Sequence, residues 1–195
     1  MGYVGLTPTS VFIWRPSGVQ IQDAYRTLVT VFEGGAAQRR PKWARPRMKV
    51  TLQFNQAALT TDDVADIWRF YRAQQGNLRP FLLPLFGRVT SVASASSVGS
   101  KTLWLDDTQD LTSSATSRWN TLYLQNAAGA YDVFTVTSVT GATRIEVQSS
   151  TGNVYAVGNP VSPVITARFD GDILSPGFLP ADLATLGLSF TEVQS

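Results

Sequence analysis

The clearest periodic signal in the chain is Met48-Lys49-Val50-Thr51-Leu52-Gln53-Phe54, where apolar and polar residues alternate. That period predicts a half-buried strand with Met48, Val50, Leu52 and Phe54 turned toward a core. Shorter β-branched and aromatic runs precede it at Val11–Trp14, Val19–Ile21 and Arg26–Phe32, separated by turn residues, and they read as further strands. The pattern changes after Thr60. Val64, Ile67, Trp68 and Tyr71 recur at i, i+3, i+4 and i+7, which predicts a helix over about residues 61–76 with those four side chains facing the core. Thr60 or Thr61 supplies a cap, Asp62 and Asp63 sit at the positive end of the helix dipole, and Gly76 is a natural stop. From Leu78 to Phe86 an apolar segment is interrupted by Pro80 and Pro84, as in an edge strand or an irregular extended stretch.

Beyond Arg88 the composition shifts to Ser, Thr, Ala, Gly and Val. Short strand-like runs at 103–105, 121–124, 133–136 and 144–147 follow at intervals that suit a small antiparallel barrel or sandwich. After Pro160 and Pro163 the longer strands return at Val164–Phe169 and Leu186–Val193. The expected architecture is therefore mainly β. A discontinuous β-sandwich core, residues 1–88 and 161–195, carries one flanking helix, and a small antiparallel β module, residues 89–160, is inserted into it.

Composition narrows the chemistry. In 195 residues there is no cysteine and no histidine, so no disulfide can form, and the commonest metal ligands and the commonest general base are missing. The reading is a protein without a cofactor that is not an enzyme, with no membrane insertion. Net charge is only +2, but residues 1–88 hold 12 Lys or Arg against 5 Asp or Glu, and residues 89–195 hold 4 against 9. Such asymmetry can bring the basic region of one copy against the acidic region of the next.

The basic positions concentrate in Arg39-Arg40-Pro41-Lys42-Trp43-Ala44-Arg45-Pro46-Arg47. Arg and Lys neutralise phosphates and Trp43 could stack on a base, yet the segment has no groove-reading helix signature, and its prolines point to a fixed extended arm or loop. Arginine and tryptophan also dominate strong protein interfaces. Arg39, Arg40, Trp43, Arg45 and Arg47 are accordingly candidates for an oligomer interface or a lumen surface.

Asp106, Asp107 and Asp110 lack the DxDxDG spacing of a calcium loop and read as an acidic turn. Asp170 and Asp172 lie two residues apart on one loop, whereas the carboxylates of a glycan hydrolase usually come from separate elements across a cleft. A structural turn or a salt bridge to an arginine is the expectation there. Gly34-Gly35 fits no phosphate-loop pattern. Trp104 and Trp119, in the inserted segment, are the candidate ligand-contacting aromatics if the chain is instead a carbohydrate-binding or host-recognition module.

Four pieces, taken in order, resemble the distal tail proteins, or tail-tip hub proteins, of long-tailed, siphovirus-like bacteriophages and of gene transfer agents. They are Glu33 with Arg39-Arg40, Trp43 and Pro46-Arg47 leading into Leu52–Phe54; the helix Asp63–Tyr71 ending Ala73-Gln74-Gln75-Gly76; Ala167-Arg168-Phe169-Asp170-Gly171-Asp172; and Leu188-Ser189-Phe190-Thr191-Glu192-Val193. The resemblance covers about residues 10–86 and 162–193 and leaves the inserted module outside. It implies a structural virion protein of the tail tip, assembled in the bacterial host cytoplasm. Its core would close a homo-hexameric ring joining the tail tube protein to other tip or baseplate proteins, with contacts from the sandwich and its arms through Arg40, Trp43 and Arg47. The basic face would line the channel through which DNA passes, and the inserted module would face outward, toward fibres or host attachment.

Overall fold

The computed structural model describes residues 10–31, 37–41, 46–55, 59–86, 90–108, 111, 113, 119–172, 174, 177–179 and 183–193. Among these, the chain is mainly β with one helix. The elements run β1 (Gly18–Ala24), β2 (Thr27–Val31), β3 (Ala37–Pro41), β4 (Arg47–Phe54), α1 (Thr61–Ala73), β5 (Phe81–Pro84), β6 (Thr90–Ser94), β7 (Thr102–Leu105), β8 (Thr121–Gln125), β9 (Tyr131–Thr140), β10 (Arg144–Val147), β11 (Pro160–Phe169), β12 (Gly177–Leu179) and β13 (Leu183–Glu192).

Two compact units share these elements, one gathering Pro16–Pro80 with Ala167–Ser195, the other Thr7–Arg15 with Phe81–Thr166. The second unit thus takes residues 81–88 and 161–166, which the sequence pattern assigns to the core, together with the segment ending at Arg15. Backbone hydrogen bonds account for the shift. Phe12 N–H donates to Leu82 O at 2.9 Å, Leu82 N–H to Ser10 O at 2.8 Å, and Leu85 N–H to Pro163 O at 2.8 Å. The Val11–Trp14 run, expected as a strand, makes a single parallel bridge between Val11 and Leu82. Phe12 is nevertheless fully buried, with Trp14 edge-on at 5.0 Å.

In the first unit β1, β4, β13 and the end of β11 form one antiparallel sheet in that order. The alternation in β4 works as expected. Met48, Val50, Leu52 and Phe54 are all buried, and three of them sit opposite residues of β13 that are also buried: Val50 faces Phe190, Leu52 faces Leu188, and Phe54 faces Leu186. Opposite residues share a face of the sheet, so these pairs make one apolar layer, each side chain contributing about 1.5–3 kcal/mol by leaving water. Phe169 joins the layer 5.1 Å from Phe190. At the far end of β4, the carboxylate of Glu192, 4% exposed, accepts the Met48 N–H at 2.9 Å.

Helix α1 starts with a reciprocal capping box. Thr60 Oγ1 accepts from Asp63 N–H at 3.2 Å while Asp63 Oδ2 accepts from Thr60 N–H at 2.9 Å, satisfying two orphan donors at once. Val64 and Ile67 are buried, and Tyr71 meets Phe169 edge-on at 4.9 Å. Trp68 departs from the expected stripe: it is 36% exposed, with the Arg72 guanidinium 5.4 Å from its ring centroid. It lies 100° around the helix from Ile67, and the contact face is centred on Val64, Ile67 and Tyr71, so its ring falls at the margin. The helix ends with Gln75 and Gly76 at φ 54° and 64°, and at Gly76 an added Cβ would lie 2.9 Å from Asp172 Oδ1. Glycine is the residue that both the positive φ and the close carboxylate require.

The second unit settles the choice between barrel and sandwich. Its strands pair antiparallel in a closed circuit, β6 to β7 to β10 to β9 to β8 to β11 and back to β6. Val161 is the closing residue, with Thr90 on one side and Leu124 on the other. Closure leaves no free strand edge. Alternate residues fill the interior, among them Val92, Leu103, Leu105, Leu122, Leu124, Phe134, Val136, Ile145 and Val161. Tyr155, also fully buried, reaches Asp132 with its hydroxyl at 2.8 Å, and the same carboxylate oxygen accepts from the N–H of Gly152 at 2.9 Å and of Asn153 at 3.0 Å. One aspartate thereby pins the 152–155 loop to the barrel. Burial, followed by the bond to Asp132, pushes the Tyr155 pKa well above its ordinary value, so the phenol stays a neutral donor.

Candidate assembly interface

Strands β2 and β3 form a sheet of their own. Among the described residues they pair only with each other, as a two-stranded antiparallel ribbon with Val29 opposite Arg39, Leu28 opposite Arg40 and Val31 opposite Ala37. Residues directly opposite project to the same face. One face therefore carries Val29, Val31, Ala37 and Arg39, and the other Leu28, Thr30, Gln38 and Arg40. Every residue of β2 is exposed, as are Ala37–Arg40 of β3. Tyr25, just before the ribbon, is 75% exposed, Val31 68%, Val29 53% and Leu28 43%.

This pattern is unusual for a strand pair in water. A single hairpin gains too little from its own ladder to be independently stable, and β-branched residues are costly to leave wet on both faces. The ribbon also exposes free strand edges, which template pairing with another chain unless covered. Arg39 and Arg40 lie here on opposite faces, able to meet carboxylates on whatever covers the ribbon.

The other candidates lie elsewhere. Trp43 and Arg45 fall outside the described residues. Arg47 begins β4, half-buried in the first unit's sheet and opposite Ala24, so it belongs to the core sheet and not to the ribbon. The expected arm or loop over residues 39–47 is, in its described part, two strand ends: Arg39–Pro41 closes β3 and Arg47 opens β4.

In the barrel, Trp104 is 46% exposed between the buried Leu103 and Leu105, so it points outward. Arg144 sits opposite it with its guanidinium 5.8 Å from the indole centroid, and pairs with Glu146 at 2.9 Å. Trp119 is half-buried in the turn before β8, and β8 is not a neighbour of the strand that carries Trp104.

The acidic candidates have structural partners. Asp106 accepts a hydrogen bond from the Ser91 hydroxyl, and Asp107 N–H donates to Thr90 Oγ1 at 3.2 Å; Asp110 lies outside the described residues. Asp170 accepts from Thr191 Oγ1 at 2.6 Å and pairs with Lys49 Nζ at 3.1 Å, so its salt bridge is to a lysine and not to an arginine as expected. Burial works against its charge, but the Thr191 and Lys49 bonds prevail and hold its pKa below the ordinary value. Asp172 accepts from Asn77 N–H at 3.2 Å just past the helix, and its charge, after burial, helps push the Tyr71 pKa up. Among the described residues no group of three or more acidic, histidine or cysteine side chains could hold a metal ion, and no helix is long and apolar enough to cross a membrane.

The run Arg26–Phe32 reads from the sequence as an ordinary strand, but its described part, Arg26–Val31, is exposed throughout. The signal was present in part: Arg26-Thr27-Leu28-Val29-Thr30-Val31-Phe32 lacks the strict alternation of β4, which is how a strand without one buried face reads. No protein-family model matches the chain, and a search of curated proteins finds no match.

Proposed function

We propose that this chain is a non-enzymatic structural subunit that assembles with copies of itself, and that it acts as a distal tail, or tail-tip hub, ring of a long-tailed phage or related particle. The β2–β3 ribbon carries the reading: it leaves Val29, Val31 and Leu28 in water on a strand pair that has no core of its own, and burial against a neighbouring subunit relieves both defects. The segments that resemble the tail-hub family support it, because β4, α1, the end of β11 and β13 all belong to one compact unit. In this reading six copies close a ring between the tail tube and the tip proteins, with the ribbon and its Arg39 and Arg40 reaching across each joint. DNA transits the ring, and the barrel is the part offered to other tip proteins.

The test is the solution mass by light scattering across a range of concentrations, with the high-mass fraction imaged by electron microscopy. Six-fold rings, formed alone or on added tail tube, are the expected result. A protein that stays monomeric under both conditions overturns it.

A second reading has its own observation. Trp104, with Arg144 and Glu146 beside it on the barrel wall, is an aromatic surface with polar neighbours of the kind that sugars stack on. Glycan binding that is lost in Trp104→Ala, without turnover of the glycan, would support a carbohydrate-binding role for the barrel.

A further inference from the structure

Among the described residues β2 and β3 pair only with each other, so each presents an outer edge, and the two edges are not alike. β3 carries Arg39, Arg40 and Pro41. Charged side chains, and a proline that lacks the N–H of a ladder, are what keep a strand edge from pairing. β2 is Thr27-Leu28-Val29-Thr30-Val31, with no charge and no proline, and it is exposed along its whole length. Its β-branched and apolar residues favour strands, and an edge of that composition is one that takes up another strand.

The core sheet of the same unit ends in a strand that matches it. β1 stands at the end of the order β1, β4, β13, β11 and, among the described residues, pairs only with β4. Val19 sits opposite Leu52 and Ile21 opposite Val50, so both belong to the apolar face of the sheet. Leu52 and Val50 are fully buried, whereas Val19 and Ile21 are only half-buried, and Gln20 and Gln22 on the other face are exposed. The apolar layer therefore runs out at β1 with two β-branched side chains partly in water. β1 holds no Lys, Arg or Pro, and its single charge, Asp23, is opposite in sign to Arg39 and Arg40. A strand laid beside β1 would cover Val19 and Ile21 if its alternate residues were apolar. Val29 and Val31, which project to one face of the ribbon, are such residues.

We propose that β2 of one copy adds to the β1 edge of a second copy, laying Val29 and Val31 against Val19 and Ile21 and extending the core sheet from one subunit into the next. Strand addition of this kind presupposes the self-assembly proposed above and specifies its joint. Main-chain hydrogen bonds supply the affinity, and the valines set which face of the ribbon meets the apolar layer. β3 then lies outermost, where Arg39, Arg40 and Pro41 keep the extended sheet from taking a further strand.

The chain has no cysteine, so introduced single cysteines report the joint without background. Gln20→Cys or Gln22→Cys is mixed with a tagged Thr30→Cys protein under assembly conditions and oxidised, so that a disulfide between the two preparations can form only between copies. Facing Cβ atoms on neighbouring strands lie about 4.5–5.5 Å apart, close to the reach of a disulfide, and a strand one place farther out adds about 4.8 Å. The expected result is a mixed disulfide with Thr30→Cys that is absent with Gln38→Cys, which sits opposite Thr30 on β3. In the parent protein, assembly should also slow hydrogen exchange at β1 and β2 more than at β3. Assemblies that form no disulfide at either β1 position, or whose β1 amides exchange as fast as in the single chain, would overturn the strand addition while self-assembly stands. A crosslink that prefers Gln38→Cys to Thr30→Cys would overturn it as well. Mixed disulfides in assemblies that are not six-fold support the strand addition and remove only the ring, and a protein that neither assembles nor crosslinks overturns both.

Discussion

Replacing Val29 and Val31 together by threonine separates the role of the ribbon in assembly from its role in the fold. Threonine keeps the β-branch and hence the strand preference and exchanges one methyl for a hydroxyl at each position. In the single chain both side chains already stand more than half in water, at 53% and 68% exposure. The change there touches solvent, and folding stability should move by less than about 0.5 kcal/mol. In an assembly that covers the ribbon, each hydroxyl is buried without a designed partner, at about 1–3 kcal/mol when burial is complete. Only about half to two-thirds of each side chain is newly covered, so the lower part of that range applies. The pair should cost about 2–3 kcal/mol per joint, a weakening of roughly 30- to 150-fold.

The assay is a light-scattering or sedimentation isotherm beside a urea unfolding curve on the same protein. Loss of assembly with an unchanged urea midpoint is the expected pair of results. If the variant assembles at the parental concentration, the ribbon is not at the interface. If the urea midpoint falls by the full amount, the valines serve the fold of the single chain and the argument from exposure is wrong.

Three further perturbations probe the two units. Asp132→Ala should destabilise the barrel by about 2–3 kcal/mol, since it strands the buried Tyr155 hydroxyl and two backbone donors; Tyr155→Phe should cost about 1 kcal/mol, and a double-mutant cycle in urea should show coupling between them. Gly76→Ala should cost about 1–2 kcal/mol in the same assay, because φ is 64° and the new Cβ would meet Asp172 Oδ1 at 2.9 Å. Asp170 has a folded-state pKa below its ordinary 3.8, so its contribution is complete above that value and lost as pH falls through the folded-state pKa. Lys49→Met or Thr191→Val should flatten the acid limb of stability below about pH 4, by less than about 1 kcal/mol because the pair is partly exposed.

Much of the architecture was legible one element at a time. The period of two in β4, the period of 3.6 with a cap and a terminal glycine in α1, and the run of short strands after residue 90 are local signals, and local steric and hydrophobic preferences suffice to read them. The same locality explains the misses. Trp68 has the spacing of a core residue, but which edge of a helical stripe is covered depends on the element packed against it. Phe81–Leu85 reads as an edge strand or irregular stretch of the core over residues 1–88, whereas it belongs to the second unit and its hydrogen bonds go to Ser10, Phe12 and Pro163, partners remote along the chain.

The sequence by itself determined that this is a β-rich chain with one capped helix, two compositional regions of opposite charge, and no histidine or cysteine chemistry. Only the tertiary structure decided that the inserted strands close into a barrel, that Arg39 and Arg40 ride on an exposed ribbon while Arg47 lies in a core sheet, and that the buried Tyr155 hydroxyl finds Asp132. The physical reason is the same in each case. Propensity and amphipathicity act within a few residues, but closure, exposure and the partner of a buried hydroxyl are set by contacts between segments as far apart as Thr90 and Val161, whose meeting no local pattern encodes.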